Sequence, residues 1–580
     1  MKKSYAKSNI RELFLAILPA QIFSFVTSSL SGIANGILIG VYLSSIDMIA
    51  LGFASPIVQI IGVFSTVISA GARVLCGRYM GRGERDKINE AFTVAIKLLL
   101  LIGVVLTVFC FFGSKLIASI IASQDALINT SSYLKGIAIG LIPTILVPCL
   151  MVFLQMENHG TYSLIATILL AVFNISIGVV ALELLNIGIF GVGLVTSISQ
   201  YLILAFILIK YFKDKKLPRI VKCDYSIAKN IIVIGLPTAL ASLLYAIRNS
   251  VLNSYTSSIY GNAAVNALSI MTSSCGPLDA VNIGTGQTAM MLAAVYIGEK
   301  DEEALKTLAR VMIKIGVILA FIKVALIAGF GRNIAILFGG VGEVIDLTWD
   351  LYFAYSLAAP LNMIALYFIN VYQAFGKIKY CNIIIVFTAI IFPLSFAFLG
   401  KPLIGINSIW YCYAFAEIAI LIFIWLGASI KKKHIIKNFN ELITLDSQLE
   451  VGNHITISVT NIDEVVTVAK DVQEYCLSEN VDPKKSMMAG LCCEEIAANI
   501  VEHGFTKSKK KKKEIDIYVD ADKEDVNIRI KDNAVAFDPH IKLNENDDPT
   551  VNIGIKMVSK LAKEMNYQNN FGLNVLSIKI

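Results

Sequence analysis

Between about residues 10 and 430 the chain alternates long apolar runs with short polar breaks, and the runs approach the ~20 residues that cross a bilayer as a helix. Read in order they predict twelve spans. Six lie near 12–36, 46–78, 88–112, 133–155, 162–182 and 188–210, and six near 230–256, 264–296, 306–330, 350–374, 380–400 and 404–428. A polar island at 210–224 separates the two sets. Past Asn438 the pattern changes. Alternation at 514–519, 526–530 and 574–580 predicts strands, and helical periodicity covers 463–477, 484–502 and 554–565, so a cytosolic α/β sandwich of roughly 140 residues follows the membrane body. The expected units are 1–215, 216–435 and 436–580.

The two membrane units repeat each other. Pro19, Asn35 and Gln155 recur as Pro237, Asn253 and Gln373, each displaced by 218 positions. Tyr79-Met80-Gly81 recurs as Tyr296-Ile297-Gly298, and Pro143 as Pro360, displaced by 217. One match in an apolar chain means nothing, but an ordered series at nearly constant offset argues duplication. Six spans is an even number, so both copies enter from the same side and their pseudo-twofold axis runs along the membrane normal. The fold class expected is a polytopic α-helical membrane protein with two six-span repeats and a transport path at their interface.

Composition agrees: 56% of the residues are hydrophobic and 16% charged, with a mean hydropathy of +0.69, whereas soluble domains have about 25% charged residues. The net charge of +7 does not point to nucleic acid. Basic residues gather on one face, at the N-terminus and at 78–87, 210–229, 376–379 and 431–433, while the opposite breaks at 44–47, 182–186 and 257–262 have none. Arg332, Lys115 and Lys401 run against this trend. The positive-inside rule then places both termini in the cytosol and the chain in the cytoplasmic (plasma) membrane. The ten cysteines are scattered and, apart from the adjacent Cys492-Cys493, lack metal-type spacing, so they read as small buried residues outside any disulfide framework. Lys2, Lys3, Lys7 and Arg11 lead straight into a full span, which is not the plan of a cleavable signal peptide.

A charge at membrane depth costs at least about 2.5–3.5 kcal/mol on insertion scales, so it faces a cavity or a partner. The intramembrane charges are Asp279, Glu183, Glu417, Arg73 and Arg248. Arg248 lies mid-span, Asn253 follows a little over one turn later, and Asn35 is the first-half counterpart of Asn253. Asn35, Arg248, Asn253 and Asp279 are the candidate lining of a transport cavity. Glu183 and Glu417 are expected near the membrane interfaces, and Lys97, Lys314 and Lys323 as snorkelling or groove-lining residues.

Several stretches of this body carry a family resemblance: Leu15-Ala16-Ile17-Leu18-Pro19, the segment from Ala70-Gly71-Ala72 to Tyr79-Met80-Gly81-Arg82-Gly83-Glu84, and Asn174 through Gly188, Gly191, Gly193 and Gln200. In the second half, Gly284-Thr285-Gly286-Gln287 and Tyr296 to Asp301 add to it. Over roughly 10–430 the chain resembles the multidrug and toxic compound extrusion (MATE) transporters. The resemblance implies an inward/outward rocking antiporter that expels drugs or organic cations against H⁺ or Na⁺. Many members have an acid in the first span, about where this chain has Ala34-Asn35, or in the seventh, near Tyr245. A neutral amide cannot change its charge during exchange, so the missing acids leave coupling to other residues.

In the C-terminal unit three patches carry chemistry. Glu495, Asn499 and His503 share a helix face at i, i+4 spacing, Asp532-Asn533 opens a loop after a strand, and Asn552-Ile553-Gly554 opens a helix whose amides suit phosphate. Over about 455–580 their order resembles the ATP-binding fold of histidine kinases, most closely the anti-sigma-factor serine kinase branch. The resemblance implies ATP and Mg²⁺ as cofactors. Glu495 would then be the catalytic base, Asn499 the Mg²⁺ ligand and Asp532 the acceptor for the adenine amino group, with Asn533 and Gly554 beside the nucleotide. A cytosolic protein partner is a further expectation of that branch. Ala534 and Asn552 stand where the family usually has glycine. His503 reads as a helix-packing residue and the lysine run 509–513 as a solvated loop.

The leading expectation is ion-coupled efflux of a small-molecule substrate across the bilayer, with ATP binding as a regulator that acts through the 210–229 loop. Two alternatives stay open. One is a flippase for lipid-linked or anionic substrates with Arg248 as the anion contact. The other is a membrane sensor controlling a serine kinase. Whether the C-terminal unit turns over ATP is left open by the sequence.

Overall fold

A computed structural model describes residues 6–184, 187–214, 217–438, 441–442, 454–507, 513–539 and 553–580. The first half consists of α1 (Ala6–Tyr42), α2 (Ser45–Arg82), α3 (Arg85–Ile121), α4 (Leu127–Ala138), α5 (Leu141–Met156), α6 (Gly160–Val179) and α7 (Gly188–Lys213). The second consists of α8 (Ser226–Ser274), α9 (Gly276–Gly298), α10 (Glu302–Leu337), α11 (Glu343–Ala374), α12 (Ile378–Val386), α13 (Phe392–Ile404), α14 (Asn407–Trp410) and α15 (Cys412–Lys432). Among the described residues 11 helices are long and apolar enough to cross a membrane, and α4 with α5, bent by 48°, brings the number to 12. Phe112, Phe212, Leu337 and Leu403 are exposed on the surface of the bundle, as lipid-facing side chains must be. The break expected at 257–262 is a kink at Gly261, where two helical segments of α8 meet at φ 77°, ψ −171°, a conformation open to a residue without Cβ.

The repeat is visible as contacts. Pro19 lies inside α1 and Pro237 inside α8. Beside Pro19, the Gln21 amide donates to Gln155 Oε1 of α5 at 2.5 Å. Beside Pro237, Gln373 of α11 donates to Ile234 O at 2.8 Å and to Thr238 Oγ1 at 3.0 Å. Each glutamine thus ties the fourth span of its half to the first.

The repeated Tyr-X-Gly has an equally direct reason. An added Cβ at Gly81 would come within 2.1 Å of Val295 O, and one at Gly298 within 2.2 Å of Arg78 O, because α2 and α9 cross backbone to backbone there. Arg78 Nε also donates to Ala374 O at 2.9 Å. Deeper in the bundle Arg73 donates to Gln287, again from one half to the other. Toward the opposite end of α2, Gly52 and Gly62 meet nothing within 4 Å. The halves therefore touch at the end that carries the basic loops and are not packed this way at the other end.

The C-terminal unit contains β1 (His454–Val459), α16 (Ile462–Ser478), α17 (Pro483–Asn499), β2 (Ile515–Ala521), β3 (Val526–Asp532), α18 (Ile553–Leu561), β4 (Glu564–Asn570) and β5 (Leu573–Lys579). The sheet order is β1-β2-β3-β5-β4, antiparallel throughout. Ile515, Ile517, Val519, Ile528 and Ile530 point to one face and form a core with Val465, Val468 and Cys493 of the helices. The helix expected over 554–565 ends at Leu561, and 564–570 is strand β4; strand β1 also had no counterpart in the pattern. Both are edge strands, held by a single neighbour, and their sequences need not show the alternation of a strand buried between two others. All ten cysteines are free thiols.

Candidate functional site

Polar side chains from five helices meet inside the second half. Asp279 of α9 pairs with Lys323 of α10, and its Oδ2 accepts from the Tyr355 hydroxyl of α11 at 2.8 Å. Lys323, expected to snorkel or line a groove, is 3% exposed and does not snorkel; the Asp279 carboxylate of the neighbouring helix supplies its charge partner. Asn282 donates to Asn362 Oδ1 at 3.0 Å, and Asn362 donates in turn to Glu417 Oε1 of α15 at 2.8 Å. Glu417 is 6% exposed, which corrects its expected place at a membrane interface, and its Oε2 is buried without a partner among the described residues. Glu183, by contrast, is exposed and accepts from the Tyr42 hydroxyl at 3.4 Å.

Arg248 completes this cluster. Its guanidinium lies over the rings of Tyr245 and Tyr413, 5.0 and 4.8 Å from their centroids. Its hydrogen bonds go to the neighbouring Asn249 Oδ1 at 3.3 and 3.2 Å. Tyr413 and Glu417 are one turn apart on α15, so Arg248 sits beside the Glu417 face with cation–π contacts as its support. Tyr245, near the place of the acid expected from the family resemblance, is one of the two rings.

The first half is neutral at the corresponding places. Asn35 donates to Thr196 Oγ1 at 3.4 Å; the Oδ1 atoms of Asn35 and Asn174 and Oε1 of Gln200, and in the second half Asn253 Oδ1, are buried without partners among the described residues. Buried polar atoms of this kind cost free energy unless a ligand or water meets them. Sequence reasoning missed Tyr355, Asn282 and Asn362 and did not pair Lys323 with Asp279, because only the packing of α9, α10, α11 and α15 brings these groups together.

In the C-terminal unit, Asn499 Nδ2 donates to the Glu495 carbonyl and to Glu495 Oε1, both at 2.8 Å. The amide is thereby oriented and its oxygen is left for another partner. Gly554, at the start of α18, lies against the same carboxylate: a Cβ there would fall 1.5 Å from Glu495 Oε1. Glu495, Asn499 and a helix N-terminus are thus brought together. His503 is not part of the group. Helix α17 ends at Asn499, a π turn covers Ile500–Gly504, and the changed winding takes the exposed His503 off the Glu495 face.

Asp532 is buried, and its Oδ1 accepts from Ala534 N–H and from Asn574 Nδ2, both at 2.8 Å. Asn574 also accepts from the Tyr567 hydroxyl at 2.7 Å, and that hydroxyl accepts from Phe537 N–H at 3.1 Å. Asn533 is 1% exposed and receives Glu514 N–H on its Oδ1 at 3.1 Å. Ala534 fits without a glycine of its own because Gly504 faces it, where a Cβ would come within 2.9 Å of the Ala534 methyl. Asn552 and lysines 509–512 lie outside the described residues.

The sequence profile of the MatE family matches residues 20–180 and 237–399, once in each half. The chain belongs to the MATE family. The multidrug export protein MepA of Staphylococcus saprophyticus is 21% identical over 419 residues, which cover 71% of this chain and 92% of that protein. The probable multidrug resistance protein NorM of Streptococcus pneumoniae is 25% identical over 374 residues, 60% of this chain and 81% of its own length. Among solved structures, an outward-facing multidrug resistance MATE transporter of the MOP superfamily superposes with a TM-score of 0.66 at 18% identity, over 75% of this chain and 99% of that one. A MOP superfamily transporter from Pyrococcus furiosus, described by the reverse polarity of its binding pocket, also gives 0.66, at 19% identity over 76% and 100%.

This MATE protein carries a second unit: the profile of the histidine kinase-like ATPase domain matches residues 459–580. The residues present suit the nucleotide that the domain implies. A buried carboxylate stands at Asp532, an amide oxygen at Asn499 is not used by the contacts to Glu495, and the start of α18 lies against Glu495. Mg-ATP bound there would supply a transferable phosphoryl group, held through hard oxygen ligands on the metal. Gly554→Ala is expected to displace Glu495 and weaken nucleotide binding at least about tenfold, since the methyl cannot be accommodated without moving the carboxylate. Fluorescent nucleotide titration of the full chain checks this, and an unchanged affinity contradicts the arrangement.

Proposed function

We propose that the protein exports small organic molecules across the cytoplasmic membrane by alternating access, coupled to H⁺ or Na⁺, and that its ATPase-like domain binds Mg-ATP as a regulator. The observation that carries this reading is Glu417. A buried carboxylate with one oxygen unpartnered and no direct ion pair among the described residues suits a bound cation, a proton or Na⁺, because burying an ionised group without a direct partner costs several kcal/mol. The relatives named for multidrug export make drugs and organic cations the leading substrates. The test is transport in proteoliposomes under imposed pH or Na⁺ gradients with several dyes; no gradient-dependent flux of any dye overturns the reading.

A second reading rests on Arg248, whose guanidinium has aromatic rings and an amide about it but no paired carboxylate among the described residues. Such a group suits an anionic or lipid-linked substrate, in which case Arg248→Ala should abolish transport of anionic dyes and spare that of cationic ones. The assignment of sides follows from the basic loops. Reporter fusions after Lys433 should report a cytosolic location, and one at 257–262 an external one. An external signal from the first fusion reverses the topology.

A further inference from the structure

The outer face of the C-terminal sheet is not solvent-facing along its length. Strands β2 and β3 alternate, with apolar side chains toward the helices and Asp516, Tyr518, Arg529 and Lys531 toward the membrane body. Lys531 pairs with Glu299, which is 3% exposed at the end of α9, and lies 3.6 Å from Asp301. Arg529 Nη1 donates to Glu299 O at 2.7 Å. These contacts belong to the second half. In the 210–229 loop, the expected contact, Arg219 N–H donates to Asn89 Oδ1 at 3.1 Å and Val221 N–H to Thr93 Oγ1 at 3.0 Å, both on α3.

The other end of the domain reaches the first half. The β4–β5 turn has Phe571 at φ 53° and Gly572 at φ 82°, a left-handed pair that suits a two-residue hairpin but strains a residue with a side chain. The Phe571 ring is 7% exposed and belongs to the apolar core of the membrane body, not to that of its own domain. Gly572 packs on Asn158 in the α5–α6 connection, where an added Cβ would meet Asn158 Nδ2 at 3.0 Å. Gln568 approaches Gly83 in the α2–α3 connection. Burial raises the Asp516 carboxyl above its usual range, against the opposing effects of the Ser458 hydroxyl and Lys531.

We propose that the C-terminal domain is a clamp that grips both halves at once and holds the membrane body closed on the side of the basic loops. Its two grips, Lys531 on Glu299 and Phe571 beside Asn158, lie on either side of the seam formed by Gly81, Gly298 and Arg78. When the halves separate there, one rigid sheet cannot keep both grips, so the domain favours the closed state by whatever it loses on opening. The same sheet carries Asp532 next to Lys531 on β3, and Asn574 and Tyr567 on the hairpin that ends in Phe571. The nucleotide site is thereby connected by hydrogen bonds to both grips. The clamp gives the proposed regulator its physical route, and it rests on the alternating-access reading.

The test places a reporter thiol in the seam. Ala374→Cys, in a full chain with the half-buried Cys223 replaced by Ser, is labelled with a membrane-impermeant maleimide from the cytosolic side of inverted vesicles, without substrate, gradient or nucleotide. Lys531→Glu and Phe571→Ala should each raise the labelling rate at least about tenfold by releasing one grip, and Glu299→Lys combined with Lys531→Glu should restore the slow rate. Equal rates in the parent and both single variants overturn the clamp. Absence of gradient-driven transport, measured separately, would sink the transport reading and leave the labelling result standing.

Discussion

Glu417→Gln is expected to abolish gradient-driven export while substrate exchange at equal concentrations on both sides persists. Glutamine keeps the volume and an oxygen to accept from Asn362, which donates to Glu417 Oε1 at 2.8 Å, so the packing of α11 against α15 survives. What disappears is the ability to take up and release a cation. Coupled flux should fall at least about tenfold, the rate equivalent of 1.4 kcal/mol, because the lost interaction is that of a buried charge. Asp279→Asn is the companion experiment. Asp279 holds Lys323 as well as Tyr355, so removing its charge leaves a buried ammonium unpaired, and protein yield should fall along with transport. Retained coupling in Glu417→Gln moves the ion site elsewhere.

The second large effect is expected at the nucleotide site. Asn499→Ala and Asp532→Asn should each weaken Mg-ATP binding by about 10- to 100-fold, the loss that follows when a polar partner of the ligand is removed. Both variants should continue to transport under an ion gradient, with a rate that no longer changes with internal ATP. Asp532→Asn is the more local change. Its side chain keeps an oxygen for Ala534 N–H and for Asn574, which now hold Asp532 Oδ1 at 2.8 Å. If transport stops in both variants while the chain stays folded in the membrane, ATP is the energy source and the domain is not a regulator.

Local sequence was sufficient for most of the architecture because most of it is a property of neighbouring residues. Apolar runs must become spans in a bilayer, since no other structure satisfies the backbone there. A duplicated run of prolines, asparagines and glutamines shows a duplicated fold whatever the contacts turn out to be, and Gln155 and Gln373 then prove to tie equivalent spans. The ATPase-like domain was legible from three short patches, each lying on a single element. Where the reading failed, at β1, β4 and His503, the element is fixed by a partner strand or by a change in helical winding. A window of neighbouring residues carries no such information.

The charged site was a matter for tertiary structure. Asp279, Lys323, Arg248 and Glu417 lie on four different helices, and the sequence gives the presence of their charges but not their depth or pairing. Lys323, expected to snorkel or line a groove, is a buried ion-pair partner; Glu417 looked interfacial and is buried. The docking of the C-terminal sheet was equally beyond the sequence. Lys531 and Phe571 are ordinary on a strand and in a turn, and only the packed arrangement shows one meeting Glu299 and the other buried in the membrane body. Periodicity and repeats fix which faces are apolar and how the chain is divided, because those follow from backbone geometry and hydration. Which charges meet depends on how helices distant in sequence pack, since Coulomb energy depends on separation and burial and not on position along the chain.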